Sequence, residues 1–264
     1  MKKRRDRDVA GRRLLYGVNP VLEALRADRV PSDITIAEGV RDQRLRELID
    51  LARAKSVSVK RVPRAQLDRE LGHTHHQGVI AHVSQAAYAD ADDLLESISN
   101  GQDREAEALV LVLDGIEDPR NLGAILRAAE CAGVDGVFIP ERRAAGLNET
   151  VAKASAGAVE HLRIARVTNL TVLIGQLKER NVWVVGAAGD APVDYVDWDW
   201  TRPSALVLGA EGSGLHRLVR EHCDALVRIP VRGKVESLNV SVAGGIVLYE
   251  ALRQRSVHQR NTEQ

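Results

Sequence analysis

Three stretches of the 264-residue chain gather side chains suited to chemistry. In DGIEDPRNLGAILRAAE (114–130), Pro119 and Asn121 stop a strand and open a helix, with Asn121 near its cap and Gly123 allowing close approach. Arg127 projects from the same helix, where a guanidinium can meet a phosphate or a developing negative oxygen; the plain alternative is a surface arginine. In LGAEGSGL (208–215), an apolar strand runs into Gly209, Gly212 and Gly214 around Glu211. Glycines let backbone approach a ligand closely, and a carboxylate buried in such a turn accepts hydrogen bonds from an amine or hydroxyl. In IPVRGKVESLNVSVA (229–243), Ser237, Asn239 and Ser241 crowd the start of the last amphipathic helix, where free N–H groups suit an anion. Capping accounts for one of these three residues, not for the cluster.

Other chemistries lack their residues. The glycine spacing at 209–214 is GxxGxG, not the GxGxxG of a dinucleotide site, and no GxxxxGK[ST] occurs. His73, His75 and His76 have no carboxylate or thiolate at ligand spacing, so they read as a polar turn entering a strand and no metal is expected. Cys131 and Cys223 form no CxxC and read as small core residues. With aromatics at 3%, recognition of single strands by base stacking is disfavoured, so any nucleic-acid contact rests on arginine and backbone.

Loops of this kind need strands that end where they begin. Apolar runs at 108–114, 136–139, 162–167, 182–185, 205–209 and 225–230, separated by helix-length amphipathic segments, predict a six-strand doubly wound α/β sheet. Ligands in such folds sit beyond the C-terminal strand ends, which selects the loops after Leu113, Leu208 and Ile229. Ahead of it, a smaller α/β unit alternates strand-like 33–37, 57–62 and 78–83 with helical segments.

The formal charge is zero, from 37 basic and 37 acidic residues, but its distribution is uneven. Residues 1–88 carry 18 basic and 11 acidic side chains, a net +7, whereas 89–107 carry 1 and 7, a net −6. The expected organisation is a flexible basic arm (1–13), a small unit (14–88), an acidic linker (89–107), a catalytic domain (108–255) and a tail (256–264). No apolar run is long enough to span a bilayer, and a soluble cytoplasmic protein is expected.

In order and length the three stretches resemble the motifs of the SpoU family of RNA ribose 2′-O-methyltransferases, in the trefoil-knotted superfamily. The likeness covers Leu109 to Arg253. The segment from LLYGVNPVLEAL (14–25) through HQGVIA (76–81) is similar to the family's substrate-binding domain, which resembles ribosomal RNA-binding proteins. The resemblance implies S-adenosylmethionine as methyl donor, contacted by the backbone of Gly209, Ile229 and Leu238. It implies Arg127 as the catalytic arginine, Asn121, Glu211 and Asn239 as residues that order the site, and Ser237 as a holder of the target phosphate. It further implies a C-terminal knot, a homodimer through the C-terminal domain, no metal, and RNA as partner, with a guanosine of 23S rRNA favoured. The alternatives are another rRNA site of the drug-resistance type, tRNA, a non-catalytic RNA-binding assembly factor, or a small-molecule enzyme holding a nucleotide phosphate at 208–215.

Overall fold

The computed structural model describes residues 12–27, 30–40, 43–72, 76–84, 88–99, 107–235 and 237–262. The basic arm up to Gly11, His73, His75 and residues 100–106 of the acidic stretch lie outside the described residues. The chain forms two compact units. One comprises the N-terminal residues to Ala87 together with Leu147–His161, and the other comprises Tyr88–Gly146 and Leu162 onward.

The first unit holds a four-stranded sheet in the order β1 (Arg12–Tyr16), β4 (Val79–Ser84), β2 (Asp33–Ala37), β3 (Ser58–Val62). β4 runs antiparallel to both its neighbours, and β2 and β3 are parallel through α2 (Gln43–Ala54). Ile34 and Ile36 alternate with half-exposed Asp33 and Thr35, so one face of β2 is buried, and α1 (Val18–Arg26) and α2, which pack on each other, bury Val21, Leu25 and Leu48. α3 (Arg64–Leu71) adds Leu67. His76 is fully buried; its Nδ1 accepts from the Gly78 N–H at 2.9 Å and its Nε2 faces Asp68 at 2.8 Å, which staples the turn into β4. The unit is discontinuous in sequence, unlike the expected 14–88. α6 (Glu149–Ala154) packs on β1, with Lys153 4.6 Å from the Tyr16 ring centroid, and the Glu23 carboxylate meets His161 at 2.9 Å.

The second unit is a seven-stranded sheet in the order β7 (Ile164–Val167), β6 (Gly136–Pro140), β5 (Leu109–Asp114), β10 (Ser204–Gly209), β8 (Trp183–Ala187), β11 (Ala225–Arg228), β9 (Val193–Asp194). Every pairing in it is parallel. The six apolar runs each become a strand; the seventh, β9, is a two-residue edge with no hydrophobic run to announce it. β5 and β10 are buried at every position because helices cover both faces. Val110 and Val112 point to the core shared with α4 (Ala91–Ser99), α7 (Leu170–Glu179) and α8 (Arg217–His222). α5 (Pro119–Cys131) and α9 (Val240–Thr262) pack together on the other face, where Gly244 brings α9 so near Leu208 that a Cβ would meet its side chain at 2.7 Å.

Three expectations change here. Ala91–Ser99 is not linker: Asp90 caps α4 by accepting from the Asp92 and Asp93 N–H groups, and Leu94, Leu95 and Ile98 are buried in the core of the second unit. The acidic side chains of α4 occupy its outer face, and their charge masks the apolar stripe in the sequence. The proposed tail is helical, since α9 continues to Thr262. Cys131, the last residue of α5, is exposed. Cys223 is half-buried against the core, and burial pushes its thiol up to about 11.

Candidate active site

β5 and β10 lie in register at their C-terminal ends, so Asp114 and Gly209 sit side by side and the loops that follow diverge from neighbouring points. After β10 the chain folds back at once: Ala210 and Gly214 exchange both backbone hydrogen bonds, at 3.0 and 2.9 Å, around Glu211, Gly212 and Ser213. Gly212 and Gly214 supply the left-handed φ values of 83° and 68° that this reversal requires. At Gly209 a Cβ would meet Gly214 and Leu215 backbone atoms at 2.2–2.4 Å, so no larger residue fits there without moving the turn.

The first loop enters α5 differently from the sequence reading. Asp118 is the cap, accepting from the Arg120 N–H at 2.8 Å, Pro119 takes the first helical position, and Asn121 lies two residues further in, 9% exposed. From there its amide reaches the turn after β10. Asn121 Nδ2 donates to Glu211 Oε2 at 2.9 Å, Asn239 Nδ2 donates to Glu211 Oε1 at 3.2 Å, and the same Asn239 Nδ2 donates to Asn121 Oδ1 at 3.0 Å. A carboxylate only accepts, which orients both amides. The three residues close a ring that ties together all three loops. Asn239 also caps α9, its Oδ1 accepting from the Ser241 N–H at 2.9 Å and the Ser241 hydroxyl at 2.6 Å. Glu211 is exposed rather than buried; the two amides hold it, not desolvation.

Two cavities meet at this ring. One, of about 320 Å³, opens beyond the C-terminal ends of β8, β10 and β11, and is lined by Gly209, Ile229, Ser237 and Leu238 among glycine, alanine and aliphatic side chains. Arg220 and Asp190 stand on its wall, paired at 2.8 and 3.0 Å, and the arginine's hydrogen bond holds the Asp190 carboxyl below the usual carboxylate range. The other, of about 470 Å³, opens beyond β5 and β10 and is polar, with Glu117, Asp118, Asn121, Arg143 and His216 on its walls. Ala210, Glu211, Ser213 and Val240 line both.

Of the eight sequence-predicted residues, Gly209, Ile229, Ser237 and Leu238 share the first cavity, Asn121 lines the second, Glu211 borders both, and Asn239 joins the loops. Arg127 stands apart. It is exposed on α5, lines neither cavity, and makes no hydrogen bond or ion pair with a described residue. Sequence reasoning missed Arg143, a non-glycine residue at φ 57°, and the pair of Asp114 with His216. Asp114 is the polar end of an apolar strand in register with Gly209, a signal that could have singled it out.

The methyltransferase part of the chain, residues 108–249, matches the model of the SpoU rRNA methylase family, and residues 14–89 match that for RNA 2′-O ribose methyltransferase substrate binding. The chain belongs to the SpoU rRNA methylase family. It is 44% identical to the TrmH family tRNA/rRNA methyltransferase YacO of Bacillus subtilis, over 92% of this chain and 96% of that protein. Among solved structures it resembles the SpoU methyltransferase AviRb of Streptomyces viridochromogenes in complex with AdoMet. That match has a TM-score of 0.76 and 26% identity, and covers 97% of this chain and 95% of that one. A structure described as an RNA 2′-O ribose methyltransferase matches with a TM-score of 0.75 and 29% identity, covering 95% of this chain and 91% of that one. The methylase match spans most of the larger unit and also takes in Leu147–His161 of the smaller one, while the substrate-binding match covers residues 14–89.

Proposed function

We propose that the protein transfers a methyl group from S-adenosylmethionine to a ribose 2′-hydroxyl of RNA, with a guanosine of 23S rRNA as the favoured target. The observation that carries this reading is the hydrogen-bonded ring of Asn121, Glu211 and Asn239, which joins three loops into one site between an apolar cavity and a polar one. The apolar cavity fits the donor. Gly209 and Ala210 leave backbone open to it, Leu208, Ile229 and Leu238 suit an adenine face, and Asp190, fixed by Arg220, can accept from hydroxyls. Bound there, the donor supplies an electrophilic methyl on a cationic sulfur. The protein then has to orient the nucleophile and remove its proton.

In this reading Gly209, Ile229 and Leu238 hold the donor through backbone, and Ser237 binds the target phosphate. Arg127 meets the RNA from the exposed side of α5, as a cation against phosphate or the developing alkoxide. The N-terminal unit contributes phosphate contacts, supported by the net +7 of residues 1–88. The reading includes a cytoplasmic homodimer through the C-terminal domain and the family's knot. The dimer is supported by Val242 and Tyr249, apolar residues about half exposed on α9.

The test is transfer of labelled methyl from S-adenosylmethionine to deproteinised rRNA and tRNA from a strain lacking the protein, followed by alkaline hydrolysis. A 2′-O-methyl blocks cleavage, so label in an alkali-stable dinucleotide of 23S rRNA supports the reading, and label in mononucleotides contradicts it. Arg127→Ala should leave donor binding within about 2-fold by calorimetry while transfer falls by about 10²-fold or more.

A further inference from the structure

Guanidinium does not accept a proton at neutral pH, so Arg127 does not take the proton of the attacking hydroxyl, and the Glu211 carboxylate is already engaged by two amides. The carboxylates of Glu117, Asp118 and Glu211 also line the second cavity, but His216 is the imidazole there, the side-chain type suited to proton transfer near neutral pH. His216 follows the glycine turn after β10, and both of its N–H donors on the Asp114 side are engaged. Its backbone N–H donates to Asp114 Oδ2 at 2.7 Å, and its Nδ1 lies 2.8 Å from Oδ1. Asp114 is 3% exposed at the end of β5, in register with Gly209, so this carboxylate is set by the sheet and not by a mobile loop. An ionised carboxylate only accepts, which places the ring hydrogen on Nδ1 and leaves the Nε2 lone pair free. Nε2 has no partner among the described residues, and the side chain is 48% exposed beside the cavity. Gly115 lies against the ring, where a Cβ would meet Cε1 at 3.3 Å. A buried carboxylate, an imidazole fixed in one tautomer and an open acceptor nitrogen are the parts of a general-base pair.

We propose that His216, positioned by Asp114, is the proton acceptor for the attacking 2′-hydroxyl. This rests on the methyltransferase reading above. In the step, the O2′–H bond breaks and its proton passes to Nε2. An oxygen lone pair forms the new O–C bond to the donated methyl, while the C–S bonding pair returns to sulfur, which becomes a neutral thioether. The imidazolium is stabilised by Asp114 and loses its proton to solvent through its exposed edge. The charged groups that share its cavity are Glu117 and Asp118 from the loop before α5, Arg143 from the loop after β6 and Glu211 from the turn, and Arg217, the next residue and the first of α8, is paired with Glu221.

His216→Asn keeps a donor for Asp114 and the backbone cap but has no titrating acceptor, and His216→Gln is the second variant. In both, we expect S-adenosylmethionine affinity by calorimetry within about 2-fold of wild type. We expect kcat for methyl transfer to 23S rRNA to fall about 100-fold or more, with loss of the single-proton acid limb of the pH–rate profile. Independently of activity, the imidazole ¹⁵N spectrum of the intact wild-type protein should show the Nδ1–H tautomer at His216. Full rate with an unchanged acid limb in either variant overturns the proposal, as does an Nε2–H tautomer, or loss of donor binding in both variants, which would make the residue purely structural. A wild-type protein that binds no donor and methylates no RNA overturns the underlying reading instead.

Discussion

The two cavities on either side of the turn after β10 are built from opposite materials. The first is walled mainly by glycine, alanine and aliphatic side chains at the ends of β8, β10 and β11, with Asp190, Glu211, Ser213, Arg220 and Ser237 as its polar members. The second is walled largely by charged and polar side chains, among them Glu117, Asp118, Asn121, Arg143 and His216. Ala210, Glu211, Ser213 and Val240 are common ground, and Glu211 is held there by Asn121 and Asn239; on the proposed function this is where methyl and nucleophile meet. On the proposed function, the contrast implies that donor binding and transfer are separable by mutation.

The strongest break in the comparison comes from the first cavity. Gly209→Ala places a methyl 2.2–2.4 Å from the backbone of Gly214 and Leu215, so the turn must shift; calorimetry should show donor affinity lost by about 100-fold or more, RNA present or absent. At the shared ring, Asn121→Ala leaves a Glu211 oxygen without its donor and loosens α5 from the turn. Transfer should drop about 10–100-fold with donor affinity changed by less than about 5-fold, since a hydrogen bond to a charged group contributes about 1.5–3 kcal/mol. On the polar side, Arg143→Ala should leave donor affinity alone, weaken RNA binding several-fold and lower the salt slope by about one phosphate's worth in filter-binding titrations. Outside both cavities, Leu94→Ala should cost about 2–5 kcal/mol in denaturant unfolding, as for other buried leucines, while donor affinity of the folded protein stays within error.

Much of the site was legible because its residues cluster in runs punctuated by glycine and proline at the ends of apolar strands. The ring joins the very residues singled out in the three loops, although Glu211 is held in the open by amides and not by burial. His216 was not legible, because its partner Asp114 is 102 positions away and only the parallel pairing of β5 with β10 brings them together. α4 was hidden by its own charge: Asp92, Asp93 and Glu96 outweigh three apolar positions in any composition window. The membership of Leu147–His161 in the N-terminal unit was invisible for a different reason. Val151 and Val159 are buried there, but their helical pattern does not say which unit covers them. A consequence is that deleting residues 1–88 would uncover this segment, so charge-reversal of basic residues is the cleaner probe of that unit's RNA contacts.

The central claim, a ribose methyltransferase acting on ribosomal RNA, is tested most directly by mapping 2′-O-methylation across 23S rRNA and tRNA in a strain lacking the protein. The account predicts that one ribose mark disappears from 23S rRNA and returns with the wild-type chain but not with Asn121→Ala. A full complement of ribose marks in the deletion strain, or a mark missing from tRNA alone, would contradict it.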